Sequence, residues 1–209
     1  MAERGWLDWS VAGRPMPGEA VSGDVATSWA RDGRVVLAVI DGLGHGPEAA
    51  AAASVAAAAV EEHATEEPAS LLARVHKRLV GTRGAAATVV TVDVATGALD
   101  WLGVGNVDGV VLRADPAARP PVHGVFLAAG VLGAQLPTLR ALGGVTLGHG
   151  DTLVLATDGV RADLAEVGRA ALRPEALAAR ILADHAGPRD DALVLVARWL
   201  GGAGGSGVA

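Results

Sequence analysis

The sequence predicts an α+β fold, from the order of its elements and from how its strands are joined. A short apolar run bounded by Asp-Gly pairs is followed by two helix-like stretches. Then a series of β-branched segments is separated by short turns, and one more helix and one more strand close the order. Consecutive strands joined by short turns pair antiparallel, which sets the chain apart from a parallel βαβ array.

The elements follow from local patterning. Arg34–Ile40 (RVVLAVI) lies between Asp32-Gly33 and Asp41-Gly42 and reads as a buried strand. Pro47–His63 is alanine-rich, with Pro47 at a first helical position and Glu48 in the first turn, and reads as a helix. Glu67–Val80 reads as a second helix, with apolar residues at Leu71, Leu72, Val75, Leu79 and Val80 and with Gly81 ending it. Ala87–Val94 is β-branched and is followed by a turn at Ala95-Thr96-Gly97. Ala98–Val104 and Val107–Arg113 read as strands around Gly105-Asn106, which reads first as a tight turn and second as lining the site, and Asp115–Val122 reads as a Pro-containing loop. Further strands are expected near Val125–Ala128, Gly144–Leu147 and Thr152–Ala156, then a helix over Pro174–Ala183 and a last strand over Ala192–Trp199. No repeat or linker divides the chain, so residues 1–200 are expected to form a single domain. The Gly-rich segment 201–209 is expected to be a flexible tail.

Composition bounds the function. Of the 209 residues, 51% are hydrophobic and 19% charged, which suits a globular chain. A net charge of -6 excludes a broad nucleic-acid surface. The absence of cysteine excludes disulfides and thiolate metal sites. The segment Met1–Ser10 carries Glu3, Arg4 and Asp8 and does not read as a signal peptide. The longest apolar run, Ala49–Val60, is too short to span a membrane, so a cytoplasmic protein is expected.

Four aspartates share a position type. Asp41 follows the strand ending at Ile40, Asp158 follows Leu153–Thr157, Asp190 precedes the strand beginning at Ala192, and Asp24 lies in Ser22-Gly23-Asp24. Carboxylates at the ends of buried strands can converge on one rim, where they repel one another unless a cation intervenes. All-oxygen ligand sets select hard ions such as magnesium or manganese, and two such ions suit in-line attack at phosphorus. Each Asp-Gly pair alone is also an ordinary turn, so spacing by itself marks a candidate metal site. Gly42 can offer a backbone carbonyl without steric cost. His45 is the histidine best placed for proton work, and an idle loop histidine is the equal alternative. His63, His76, His123, His149 and His185 share no ligand spacing. No serine sits in a nucleophile elbow. The loop Gly42–Gly46 has neither the third glycine of a dinucleotide fingerprint nor the lysine of a P-loop.

Taken in order, Ser22-Gly-Asp24, Val39-Ile-Asp-Gly-Leu-Gly-His-Gly46, Gly84-Ala-Ala-Ala-Thr88, Gly103-Val-Gly-Asn106, Gly150–Gly159 (GDTLVLATDG) and Arg189-Asp-Asp-Ala192 resemble the SpoIIE-like branch of the metal-dependent (type 2C) protein phosphatases. Within it they resemble the RsbX-type stand-alone phosphatases of the stressosome. The resemblance implies an α-β-β-α sandwich of two antiparallel sheets flanked by helices. It implies two divalent cations, Mn2+ or Mg2+, with Asp41 bridging both, Gly42 contributing its carbonyl, Asp24 serving one ion directly or through water, and Asp158 and Asp190 on the other side. Water held by the ions is then the nucleophile, and His45 has at most a supporting role. Asp191 is less clear, because many relatives carry Asn there. The phosphate-gripping arginine of eukaryotic relatives has no clear counterpart before Asp24, Arg14 being at most a candidate. The implied activity is hydrolysis of phosphoserine or phosphothreonine on a STAS-domain regulator in a partner-switching pathway that controls a sigma factor. The alternatives are a non-catalytic adaptor with a degenerate phosphatase fold, which the intact ligand set disfavours, and a nucleotide-binding protein using the Gly42–Gly46 loop.

Overall fold

The computed structural model describes residues 5–140 and 144–201, so the Gly-rich segment from 202 onward, read above as a flexible tail, lies outside the described residues. Eleven strands and four helices run in the order β1 (Leu7–Arg14), β2 (Asp24–Arg31), β3 (Arg34–Gly42), α1 (Pro47–Glu62), α2 (Pro68–Leu79), β4 (Ala85–Asp93), β5 (Ala98–Val104), β6 (Asp108–Leu112), β7 (Val122–Gly124), β8 (Leu127–Ala128), β9 (Val145–Thr146), β10 (Thr152–Ala156), α3 (Leu164–Val167), α4 (Pro174–His185) and β11 (Ala192–Trp199). They form a five-stranded sheet, β1-β11-β10-β6-β7, and a six-stranded sheet, β2-β3-β4-β5-β8 with β9 beside β5. All pairings are antiparallel except β5 with β8.

Side-chain alternation builds the layers. In β3, Val35, Leu37 and Val39 face the core between the sheets, while Val36, Ala38 and Ile40 face α1 and α2. In β11, Leu193, Leu195, Ala197 and Trp199 join the same inter-sheet core, while Ala192, Val194 and Val196 pack with Leu177, Ala178 and Ile181 of α4. Both faces of each central strand are therefore dry, which is why these strands read as unbroken apolar runs rather than as alternating ones. The result is four layers, helices–sheet–sheet–helices, as the resemblance implied. Helix α1 buries Ala49, Ala52, Ala53, Ala56, Ala59 and Val60, a stripe of small side chains at helical spacing that lets it lie close on the sheet. Trp101 and Trp199 are the large anchors of the inter-sheet core, with Trp6 and Trp9 packed against it.

Three expectations are corrected. Gly105-Asn106 does not close a hairpin: β5 and β6 belong to different sheets, and the chain crosses the sandwich there. The strand expected at Val125–Ala128 is shortened to β8, and the residues just before it, from the end of the segment read as a loop, form β7 in the five-stranded sheet. Strands β1 and β2 were not read from the sequence at all. Both are outermost strands, and polar residues such as Asp8, Ser10, Thr27 and Ser28 break up their apolar patterns.

Candidate metal centre

The two sheets meet at one rim where four strands end or begin. The six-stranded sheet contributes Asp24, the first residue of β2, and Asp41, near the end of β3, which face each other directly in the β2–β3 register. The five-stranded sheet contributes Asp158, just after β10, and Asp190, just before β11, on neighbouring antiparallel strands. The sheets are joined at this point by Thr157. Its hydroxyl donates to Asp24 Oδ2 (2.7 Å) and accepts from the Leu193 backbone N–H (2.9 Å), and all of this is buried.

Two close approaches fix the rim. A Cβ on Gly42 would strike the Ala49 carbonyl at the start of α1, and a Cβ on Gly159 would strike the Asp191 carbonyl. Glycine after each aspartate thus lets the next segment pack directly against the strand end. For Gly42 this is a packing reason, separate from any use of its carbonyl. The Gly42 N–H also donates to the Gly23 carbonyl (3.0 Å), tying the Asp24 and Asp41 segments together.

Electrostatics divides the acids. Burial pushes Asp41 up to about 8, and the charges of Asp24, Asp158, Asp190 and Asp191 add to this. Asp24 is pushed up to about 7, again chiefly by burial, although the Thr157 hydrogen bond pulls the other way. The Asp190 carboxyl is raised by partial burial and by Asp158, while the Asp191 N–H it accepts (3.0 Å) and the nearby His45 oppose the rise. Asp158 is exposed and accepts from Asn106 Nδ2 at 2.6 Å. The charges that raise Asp24 and Asp41 are those of the other aspartates at the rim.

Asp190 and Asp191 are adjacent but differ in use. Asp191 is buried and spends both carboxylate oxygens on backbone, Oδ1 accepting from Met16 N–H (2.7 Å) and Oδ2 from Gly23 N–H (2.8 Å). It holds the 15–23 loop against the rim. His45 is exposed, and its Nδ1 lies 2.6 Å from Glu19 Oε1 on that same loop. Arg14 directs its guanidinium to the backbone carbonyls of Pro15 (3.1 Å) and Gly187, away from any phosphate-gripping role. Thr157 and Glu19 were not singled out from the sequence, whereas Asn106 reads there first as a turn residue and second as lining the site. Thr157 and Asn106 do stand inside the quoted Ala-Thr-Asp-Gly and Gly-Val-Gly-Asn motifs, which carried that signal.

The residues fit hard divalent cations. The donors are all oxygen, and a cation would offset, in place of a proton, the cost of holding charge on the buried Asp24 and the partly buried Asp41. Among the described residues no three His, Cys, Asp or Glu side chains close on one point as a ready-made cage.

Comparison with known proteins agrees with this architecture. The family described as stage II sporulation protein E (SpoIIE) matches residues 31–200. The phosphoserine phosphatase RsbX of Bacillus subtilis (strain 168) is 30% identical over 90 residues, which is 43% of this chain and 45% of that protein, so the match spans less than half of the relative's length. A solved chain from the bacterial stressosome, described as a modular system adapted to control secondary messenger signaling, is 31% identical. It superimposes with a TM-score of 0.83 over 92% of this chain and 99% of its own. RsbX in complex with magnesium superimposes with a TM-score of 0.81 at 21% identity, over 93% of this chain and 96% of its own, and shares the fold. Among the described residues no helix is long and apolar enough to cross a membrane.

Proposed function

We propose, from the premise that this chain belongs to the SpoIIE family, that it is a divalent-metal-dependent phosphatase acting on phosphoserine or phosphothreonine of a partner protein. The observation that carries the reading is the seam at which Asp24 and Asp41 of one sheet meet Asp158 and Asp190 of the other. In this reading residues 1–200 work as one phosphatase domain. Two cations would be held with Asp41 shared between them, Asp24 serving one, Asp158 and Asp190 serving the opposite side, and Gly42 offering its carbonyl. Mn2+ or Mg2+ bound there supplies Lewis acidity and an activated water for in-line attack at phosphorus.

The chain's own residues do the rest. Thr157 orients Asp24 by donating its hydroxyl to Oδ2. Asn106 holds one oxygen of Asp158 in the same way. Asp191 is a positioning residue, keeping the 15–23 loop and therefore Glu19 beside His45. No side chain is needed as a covalent nucleophile.

The substrate proposed is a phosphorylated STAS-domain regulator in a partner-switching pathway in the cytoplasm. What supports it is the ordered motif set together with the likeness to RsbX and to the stressosome chain. The deciding assay is phosphate release from a serine- or threonine-phosphorylated STAS-domain protein with manganese present. Release is expected with metal and not with chelator. Absence of both turnover and manganese binding at millimolar metal would leave a non-catalytic adaptor in its place.

A further inference from the structure

We infer that Arg83 is the residue that grips the substrate's phosphoryl group; this rests on the phosphatase reading above. A phosphate dianion approaching a centre lined by carboxylates needs a cation supplied by the protein as well as any bound metal. Arg14 is committed to backbone carbonyls. Arg83 is mounted differently. Past the last β3–β4 pair, Gly42 with Ala85, the Leu43 N–H donates to the Gly84 carbonyl (3.1 Å), so the 82–84 turn runs beside the loop that follows Asp41. A Cβ on Gly44 would lie 2.8 Å from Arg83 Nη1, which places the guanidinium over Gly44. Gly44 is three residues beyond Asp41, on the order of 10 Å of extended chain, a span that the combined bend of the loop and a long arginine side chain can cover.

The backbone under Arg83 is pinned while its head group is loose. Thr82 Oγ1 accepts from Gly84 N–H (3.0 Å) and donates to the Leu79 carbonyl (2.7 Å), and Ala85 N–H donates to the Leu132 carbonyl (3.0 Å). The guanidinium itself is held by Glu48, at 2.5 Å, with the two side chains 47% and 71% exposed. An ion pair this open exchanges readily. The planar fork of arginine matches two phosphate oxygens at once, better than it matches a solvated carboxylate. Glu48, in the first turn of α1, holds Arg83 over the loop that follows Asp41 until a phosphate competes for it. Two other exposed arginines flank the opposite side: Arg161, whose Nε would lie 3.4 Å from a Cβ on Gly187, and Arg189, next to Asp190. They provide the comparison.

The test uses the magnesium-loaded full chain and inorganic phosphate as the binding probe, read by calorimetry, with steady-state hydrolysis of p-nitrophenyl phosphate alongside. Arg83→Ala is expected to weaken phosphate binding at least about tenfold and to raise KM by a similar factor, with kcat changed much less and magnesium affinity unchanged. Arg83→Lys should fall between, keeping the charge but losing the fork. Glu48→Gln should bind phosphate at least as well as the parent chain. The assignment is overturned if Arg83→Ala binds phosphate within about twofold of the parent, or if magnesium affinity falls with it. It is equally overturned if the loss follows Arg161→Ala or Arg189→Ala instead, or if only a phosphoprotein substrate is affected. Phosphate binding that depends on Arg83 in a chain with no turnover would uphold the grip and sink the phosphatase reading, so the two fail separately.

Discussion

The two halves of the candidate centre carry the same residue type in opposite environments. Asp24 and Asp41, from the six-stranded sheet, are set back from solvent and face each other across a strand pair, and burial drives both towards the protonated form. Asp158 and Asp190, from the five-stranded sheet, lie nearer to water and receive hydrogen bonds from Asn106 and from the Asp191 backbone. The buried half bears most of the cost of an empty site and gains most from a cation. The outer half is solvated and inexpensive, and is suited to completing the shell of an ion that keeps its water.

The contrast is broken most directly at Asp41. In the proposed centre Asp41 is the shared ligand, and losing it would forfeit several kcal/mol of charge stabilisation, so Asp41→Asn should lower phosphatase activity about 10³-fold or more and weaken manganese binding by calorimetry. Undiminished phosphate release would remove Asp41 from the centre.

The second effect is on stability. In the folded chain the Asp24 and Asp41 pKa values stand above the ordinary 3.8, at about 7 and about 8, so without metal the native state binds more protons than the unfolded state across that window. Stability contributed by these groups is therefore lost as pH rises from about 4 towards 8. Thermal melts of metal-free protein should show Tm falling over that range, by about 2–4 °C per kcal/mol lost. Magnesium should reverse the trend, and Asp41→Asn should flatten it. A metal-free Tm independent of pH would show that the buried half is not strained by charge.

Asp191 sharpens the comparison from the other side. Its oxygens serve Met16 and Gly23, so Asp191→Ala should act first on stability. Losing two charge-assisted hydrogen bonds to backbone costs about 2–4 kcal/mol, a drop of several degrees in Tm. Metal affinity should fall far less than in Asp190→Ala. Equal losses of metal affinity in the two variants would make both residues ligands.

The smallest effect is expected at Asn106. Freeing Asp158 from its hydrogen bond should weaken metal binding or activity by about tenfold, the low end for a residue that orients a ligand. Because Asp158 is exposed, Asn106→Ala should leave Tm close to that of the parent chain.

Much of this was legible in the amino-acid order. Wherever a strand is dry on both faces, as β3, β4, β10 and β11 are, its apolar run announces it, and the aspartates at the ends of β3, β10 and β11 mark the rim. Helices α1 and α2 are announced by Pro47 and Pro68 at their starts and by their apolar spacing. These features are local, set by backbone sterics and by burial within a few residues. Only the tertiary structure separated Asp190 from its neighbour Asp191, which is joined to Gly23 across 168 residues of chain. It alone disclosed that Thr157 reaches Asp24 across 133 residues, and that Gly105-Asn106 crosses between sheets. A carboxylate's partners are chosen by which strand ends the sandwich brings together. Residue type and neighbours in the chain say that an aspartate stands at a rim, and the packing of two sheets decides whether it faces an ion or holds a loop.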